Sequence, residues 1–176
     1  QNNDKIGVIF FSDYIEKYIA PKKGRKHILY LIREMLTFTP NSKRTDVGVS
    51  LEYLNKVMKR RCTAFVISDF YTRKDFSQEL RIANKKHDVV AIQIYDPRAK
   101  EMPDVGLMKV VDAETGHEMY IDTHDARLRK VHNKYWEERE IRLHEMLSQS
   151  HVDSVAIATD DDYVKMLMTL FSKRNR

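Results

Sequence analysis

The sequence predicts a doubly wound α/β fold, a mostly parallel sheet with helices on both faces and one inserted β-hairpin. Three observations predict it. Short apolar runs alternate with amphipathic segments along the whole chain, the rhythm of strand–helix–strand units. The runs are continuously apolar rather than alternating, as expected of strands covered on both faces. Four of them pass straight into an aspartate (Asp13, Asp69, Asp96 and Asp160), which gathers acidic groups along one edge if the strands are parallel.

Ile6–Phe11 (IGVIFF) is the first run, followed by Ser12-Asp13. A short second strand over residues 16–20 ends at Pro21, and residues 21–26 (PKKGRK) form a basic turn around Gly24. Ile28, Leu31, Ile32, Met35 and Leu36 recur at helical spacing over 27–38, and Pro40 closes that helix. After a polar loop, a helix over 46–60 presents Val49, Tyr53, Leu54, Val57 and Met58 as its buried stripe. Lys59, Arg60 and Arg61 suit its C-terminal dipole. Residues 63–67 (TAFVI) form the next strand and end in Ser68-Asp69-Phe70. A helix over 75–86 leads to a strand at 89–95 (VVAIQIY), which ends at Asp96-Pro97. Residues 108–111 and 118–121 flank a turn containing Gly116 and predict an exposed hairpin. The charge-dense segment 125–149 is the longest helix. Its imperfect stripe through Leu128, Val131, Tyr135, Leu143, Met146 and Leu147 places it across the surface. Residues 155–158 (VAIA) form the last strand, and a closing helix over 163–173 carries Val164, Leu167, Met168 and Phe171.

At 176 residues the chain fits a single domain, residues 1–176, able to bury a core. A composition of 42% hydrophobic and 32% charged residues excludes disorder. The net charge of +5 is spread along the chain, so it permits an acidic partner without requiring one. Cys62 is the sole cysteine, which excludes an internal disulfide and a multi-cysteine zinc site and predicts a plain buried thiol. No apolar stretch approaches the ~20 residues that span a bilayer, and no secretory leader is visible. The chain starts at Gln1 and enters a strand almost at once, the start expected of an N-terminally truncated, soluble, cytoplasmic protein.

Asp and Ser after a strand are favoured helix caps and turn formers, each contributing ~1 kcal/mol. The same carboxylate and hydroxyl oxygens are hard ligands suited to Mg²⁺, Mn²⁺ or Ca²⁺. Open α/β sheets also bind ligands at that edge. Capping and binding both remain open for each residue; their convergence is what favours a site.

The order Gly7-Val8-Ile9-Phe10-Phe11-Ser12-Asp13, Gly24-Arg25, Arg44-Thr45-Asp46, Arg60-Arg61, Ile67-Ser68-Asp69-Phe70, His87-Asp88-Val89 and Tyr95-Asp96-Pro97-Arg98 resembles the bacterial family called domain of unknown function 58. The resemblance continues through Pro103-Asp104-Val105-Gly106-Leu107, Asp122-Thr123 and Trp136-Glu137-Glu138-Arg139 and so covers nearly the whole chain. It implies a von Willebrand factor A-like domain that works with MoxR-type AAA+ ATPases. In such domains a metal-ion-dependent adhesion site draws oxygens from an Asp-x-Ser-x-Ser loop, a threonine and an aspartate. Thr45 matches the threonine and Asp69 the aspartate, with Ser12, Asp13, Asp46, Ser68 and Asp96 as the rim of the binding edge. The Asp-x-Ser-x-Ser string occurs nowhere in the sequence. By resemblance it belongs to a strand and helix preceding Ile6, so Mg²⁺ or Mn²⁺ is expected in the intact protein and none bound by these residues alone. Thr45 serves equally well as the N-cap of the second helix.

Other constellations are bland. The histidines fall at irregular spacings and read as surface or capping residues, and neither phosphate-binding glycine fingerprint is present. Lys22, Lys23, Arg25 and Lys26, with Lys43 and Arg44, form a basic turn without interleaved aromatics, so nucleic acid is not the expected partner. The Tyr135-Trp136 pair reads as packing. The resulting expectation is a non-enzymatic interaction module with a MoxR-type ATPase as its partner. A metal-dependent phosphoester hydrolase is the alternative from another class, and nucleic-acid binding a weaker one. The hydrolase lacks a base or nucleophile placed beside the strand ends.

Overall fold

The computed structural model of the chain describes residues 4–72, 74–112 and 116–174. Strands β1 (Ile6–Phe11) and β2 (Ile15–Lys22) come first, followed by helices α1 (Arg25–Thr37) and α2 (Val47–Val57). Strand β3 (Thr63–Ser68), helix α3 (Ser77–Lys86) and strand β4 (Asp88–Tyr95) follow. A four-residue helix α4 (Pro97–Lys100) precedes a hairpin of β5 (Leu107–Val111) and β6 (Glu118–Asp122). The long helix α5 (Ala126–Gln149), strand β7 (Asp153–Ala158) and helix α6 (Tyr163–Arg174) complete the chain.

The fold is mixed α/β. β3, β4 and β7 form a parallel sheet in that order, with Val66 opposite Ala91 and Ile92 opposite Val155. β4 lies between two partners, and four of its residues, Val89 to Ile92, are buried, as its unbroken apolar run requires. β1 and β2 pair antiparallel as a separate hairpin, from Ile6 opposite Lys22 to Phe11 opposite Ile15. The second strand therefore runs through Pro21 rather than stopping before it. A proline is tolerated there because the strand lies at the edge, where its missing N–H breaks no ladder. β5 and β6 make the expected outlying hairpin, with Gly116 at φ +72 in the turn; the tip, residues 113–115, lies outside the described residues.

The core lies on one face of the parallel sheet. Val66, Val89 and Ala91 meet Val47 and Leu51 of α2, Leu80 and Ala83 of α3, and Leu143 and Leu147 of α5, with Phe70, Phe76 and Val152 closing the cluster. Strand residues alternate faces, so Phe65 points to the opposite face, where Phe171 of α6 meets it edge-on with ring centroids 6.1 Å apart. Helices thus cover both faces of the three-stranded sheet.

Three helical stripes depart from expectation. α2 buries Val47, Ser50 and Leu51, about a third of a turn away from the stripe through Val49 and Val57, because α3 and the sheet meet it on that side while Tyr53 packs on Tyr18 of β2. Of the apolar stripe of α1 only Leu31 is buried, and Leu36 remains 80% exposed. Of α6 only Leu170 is buried, and Met168 is 65% exposed. Both helices have apolar surface to spare, as has β3, whose Ile67 is 59% exposed. Among the described residues no helix is long and apolar enough to cross a membrane.

Candidate functional site at the strand ends

Because β3, β4 and β7 are parallel, Asp69, Asp96 and Asp160 leave the sheet along one edge. Backbone and ion-pair contacts bring the end of β1 to the same place. The carbonyl of Ser12 accepts from the amide of Asp46 at 2.9 Å. The ammonium of Lys74, in the loop between β3 and α3, donates to Asp46 Oδ2 at 2.5 Å. Three segments far apart in sequence therefore converge: the β1–β2 turn, the start of α2 and the β3–α3 loop.

Each acidic group of this corner has a defined partner. Asp46 is 5% exposed and caps α2, with Oδ1 accepting from the amide of Val49 at 3.3 Å. Its two oxygens thus serve two partners, the helix N-terminus and Lys74. The hydroxyl of Ser12, itself buried, donates to Glu16 Oε1 at 2.9 Å. Burial pulls the Glu16 carboxyl upward, but donors from Asn41, Ser12 and Ser42 outweigh it and leave it below the ordinary value. A hydrogen bond from Ser42, with Arg44 nearby, holds the Asp13 carboxyl below its ordinary value against a smaller burial effect. In turn, Asp46 holds the Lys74 ammonium above its ordinary value.

The loop after β3 is ordered by its own side chains. Ser68 Oγ accepts from the amide of Phe70 at 3.0 Å, and Asp69 Oδ1 accepts from the amide of Tyr71 at 2.9 Å. Phe70 sits at φ +54, a left-handed conformation that costs an L-residue roughly 1–2 kcal/mol. Burial of its ring to 4% exposure, stacked on Phe76 with centroids 6.1 Å apart, offsets that cost. The outcome is an Asp69 that faces solvent from a fixed backbone.

The predicted site residues separate into two groups. Ser12, Asp13 and Asp46 are joined by contacts, and Asp46 is linked through Lys74 to the loop that carries Ser68 and Asp69. Asp96 stands apart as the cap of α4, accepting from the amide of Arg98 at 2.9 Å. The N-cap of α2 is Asp46, which relieves Thr45 of that duty and leaves it half-buried immediately before the cap. Lys74, Glu16 and Arg139 were not visible as site residues from sequence. Lys74 and Arg139 belong to charge-rich segments where no spacing singles them out, and Glu16 lies inside a strand.

The donor set tests whether a divalent ion fits these residues. Among the described residues no three His, Cys, Asp or Glu side chains form a group able to hold a metal ion. Asp46 is already neutralised by Lys74, and one oxygen of Asp69 is committed to Tyr71. By themselves the residues present do not make a complete metal site.

The histidines do not all behave as surface residues. His87 is fully buried at the far end of β4, with Nδ1 3.5 Å from Cys62 Sγ and Nε2 lacking a hydrogen-bond partner. Burial pushes the His87 imidazole down and the half-buried Cys62 thiol up, so both are neutral near pH 7. The thiol is thus only partly enclosed. Trp136 is half-buried against Tyr71, while its neighbour Tyr135 is 46% exposed.

This architecture defines a class, an α/β domain whose loops converge at the strand ends. A family profile described as "Protein of unknown function DUF58" matches residues 1–141, and the chain belongs to that family. It is 31% identical over 115 residues to an uncharacterized protein, Mb1516, of Mycobacterium bovis, covering 64% of this chain and 36% of that protein. It is also 28% identical over 160 residues to the Mycobacterium avium protein MAV169, covering 90% and 94% of the two chains. The chain thus spans about a third of the length of the first of these relatives. Among solved structures it is similar to the conserved hypothetical protein BatB of Bacteroides thetaiotaomicron. The TM-score is 0.56 at 13% identity, covering 98% of this chain and 80% of that one. An aerotolerance-related membrane protein of Bacteroides fragilis gives a TM-score of 0.59, also at 13% identity, covering 98% and 81%. At these identities the likeness concerns the fold alone.

Proposed function

We propose that this chain is the larger part of a von Willebrand factor A-like, non-enzymatic interaction module whose strand-end edge contacts a partner protein. The observation that carries the proposal is the convergence of Ser12, Asp46 and the Asp69 loop through the Ser12–Asp46 hydrogen bond and the Lys74–Asp46 ion pair. It builds a rigid polar corner from three loops while Asp69 remains exposed. Rigid loops presenting oxygens suit recognition of another protein.

A preceding strand and helix in the longer protein complete the sheet between β1 and β3. Two features support this. Among the described residues β1 pairs only with β2 and β3 only with β4, so each has a free edge, while Phe11 of β1 packs against the same core cluster as Val66 of β3. Exposed apolar surface on α1, β3 and α6 (Leu36, Ile67 and Met168 among it) is what such an addition would cover. The upstream loop would bring the Asp-x-Ser-x-Ser oxygens to Thr45 and Asp69, and Mg²⁺ or Mn²⁺ would then have a full ligand set with one position open for a partner's carboxylate. By family resemblance that partner is a MoxR-type AAA+ ATPase.

The test is a Mn²⁺ titration of the longer protein and its Thr45→Ala and Asp69→Asn variants, followed by capture of the ATPase. The expected result is metal binding weakened at least tenfold by either substitution, with capture lost in parallel. Undiminished capture by Asp69→Asn overturns the assignment of the edge. Absence of an Asp-x-Ser-x-Ser loop in the longer sequence overturns the metal.

A further inference from the structure

We infer that Arg139, from the middle of α5, is the positioning residue that fixes the Asp69 loop. The inference rests on the reading of Asp69 as a contact group, and adds that its presentation is set by a helix 70 residues further along the chain.

Arg139 Nη2 donates to the backbone carbonyl of Asp69 at 3.1 Å. The guanidinium lies over Tyr71, 4.7 Å from the ring centroid, and over Trp136 at 4.9 Å, while those two rings are 6.2 Å apart. One cation is thus flanked by two aromatic side chains, one from the loop and one from α5. Guanidinium suits such a place because it is planar and weakly hydrated and donates at fixed angles while stacking. Burial pulls its pKa down and the Asp69 charge pulls it back up; an arginine remains cationic there.

The contact acts where it has leverage. The Asp69 carbonyl belongs to the peptide that leads into Phe70, the buried residue at φ +54. Turning that peptide would swing the Asp69 carboxylate, whose Oδ1 is aimed at the amide of Tyr71. Ser68 braces the loop from before and Phe76 from below, but only Arg139 reaches the Asp69 carbonyl among the hydrogen bonds described. Cutting it leaves the left-handed turn without its far anchor.

The experiment is heteronuclear NMR of the longer protein with Arg139→Met and Arg139→Lys, reading the amides of Phe70 and Tyr71 against the parent under one condition. In the parent each of these two amides is expected to give one sharp signal. Arg139→Met is expected to broaden or split both amide signals, with the remaining spectrum in place. Arg139→Lys is expected to do the same, since an ammonium lacks the planar fork that meets both rings while donating to the Asp69 carbonyl. If Arg139→Met unfolds the protein, Tyr71→Leu removes one stacking face and is expected to give the same loop signature. Unchanged Phe70 and Tyr71 amides in a folded Arg139→Met protein overturn the inference. Asp69→Asn separates the two ideas. If it leaves partner capture intact while Arg139→Met disorders the loop, the edge assignment fails and the positioning role stands.

Discussion

Asp46 does two jobs with one carboxylate, capping α2 with Oδ1 and receiving Lys74 with Oδ2. Asp46→Ala is expected to destabilise the fold by about 2 kcal/mol, the sum of a lost cap and a lost charge-assisted bond. Asp46→Asn keeps the cap and is expected to cost about half as much, because the Lys74 side chain is 71% exposed and its pairing is weakened by solvent. Urea denaturation of the two variants side by side measures the difference. His87 gives a second residue-scale expectation. Its imidazole titrates lower in the fold than in the unfolded chain, so the unfolded chain binds the proton first as pH falls. Its contribution is fully present above the ordinary histidine pKa near 6.5 and is lost below it. Between pH 7.5 and 5.5 the denaturation midpoint of the parent should therefore fall more than that of His87→Leu. Equal slopes for the two would contradict a neutral, buried His87.

At the scale of elements, burial decides which apolar residues of a helix matter. Leu51 is 1% exposed and sits where α2, α3 and the sheet meet, so Leu51→Ala is expected to cost about 3 kcal/mol through lost contacts and a residual cavity. Leu36, 80% exposed at the end of α1, should tolerate alanine with a change under about 0.5 kcal/mol in this chain alone. A larger loss at Leu36 in the longer protein would indicate that something covers α1 there. Helical spacing identified α1, α5 and α6 as helices, yet it could not say how much of each stripe is buried, because that depends on what stands opposite. Strands were more legible. The runs at β3, β4 and β7 are short and continuously apolar, which suits parallel strands; β4 is buried along its middle, while Phe65 and Ile67 of β3 stay 47% and 59% exposed.

For the molecule as a whole, the parallel sheet and the β1–β2 hairpin share a core without pairing as strands among the described residues. If a further strand joins them in the longer protein, the β3 amides on the edge away from β4 should exchange with deuterium much more slowly there than in residues 1–176 alone. Equal exchange in the two would remove the completed-sheet proposal. Arg139 belongs to this scale too, since it ties the longest helix to the loop that presents the exposed Asp69.

The order of strands and helices, the row of acidic residues behind the strands, and family membership through motifs spread over most of the chain can all be read along the chain. Those depend on local propensity, period and residue order, which are properties of the chain read along its length. Only the tertiary structure decided that Asp46 rather than Thr45 caps α2, that Lys74 neutralises it, that His87 is buried, and that Arg139 reaches back to Asp69. The contacts to Lys74 and Arg139 join residues 28 and 70 positions apart. The charge and hydrophobicity of a residue are written in its own side chain, but the partner that satisfies it is chosen by which loops the packed sheet brings together.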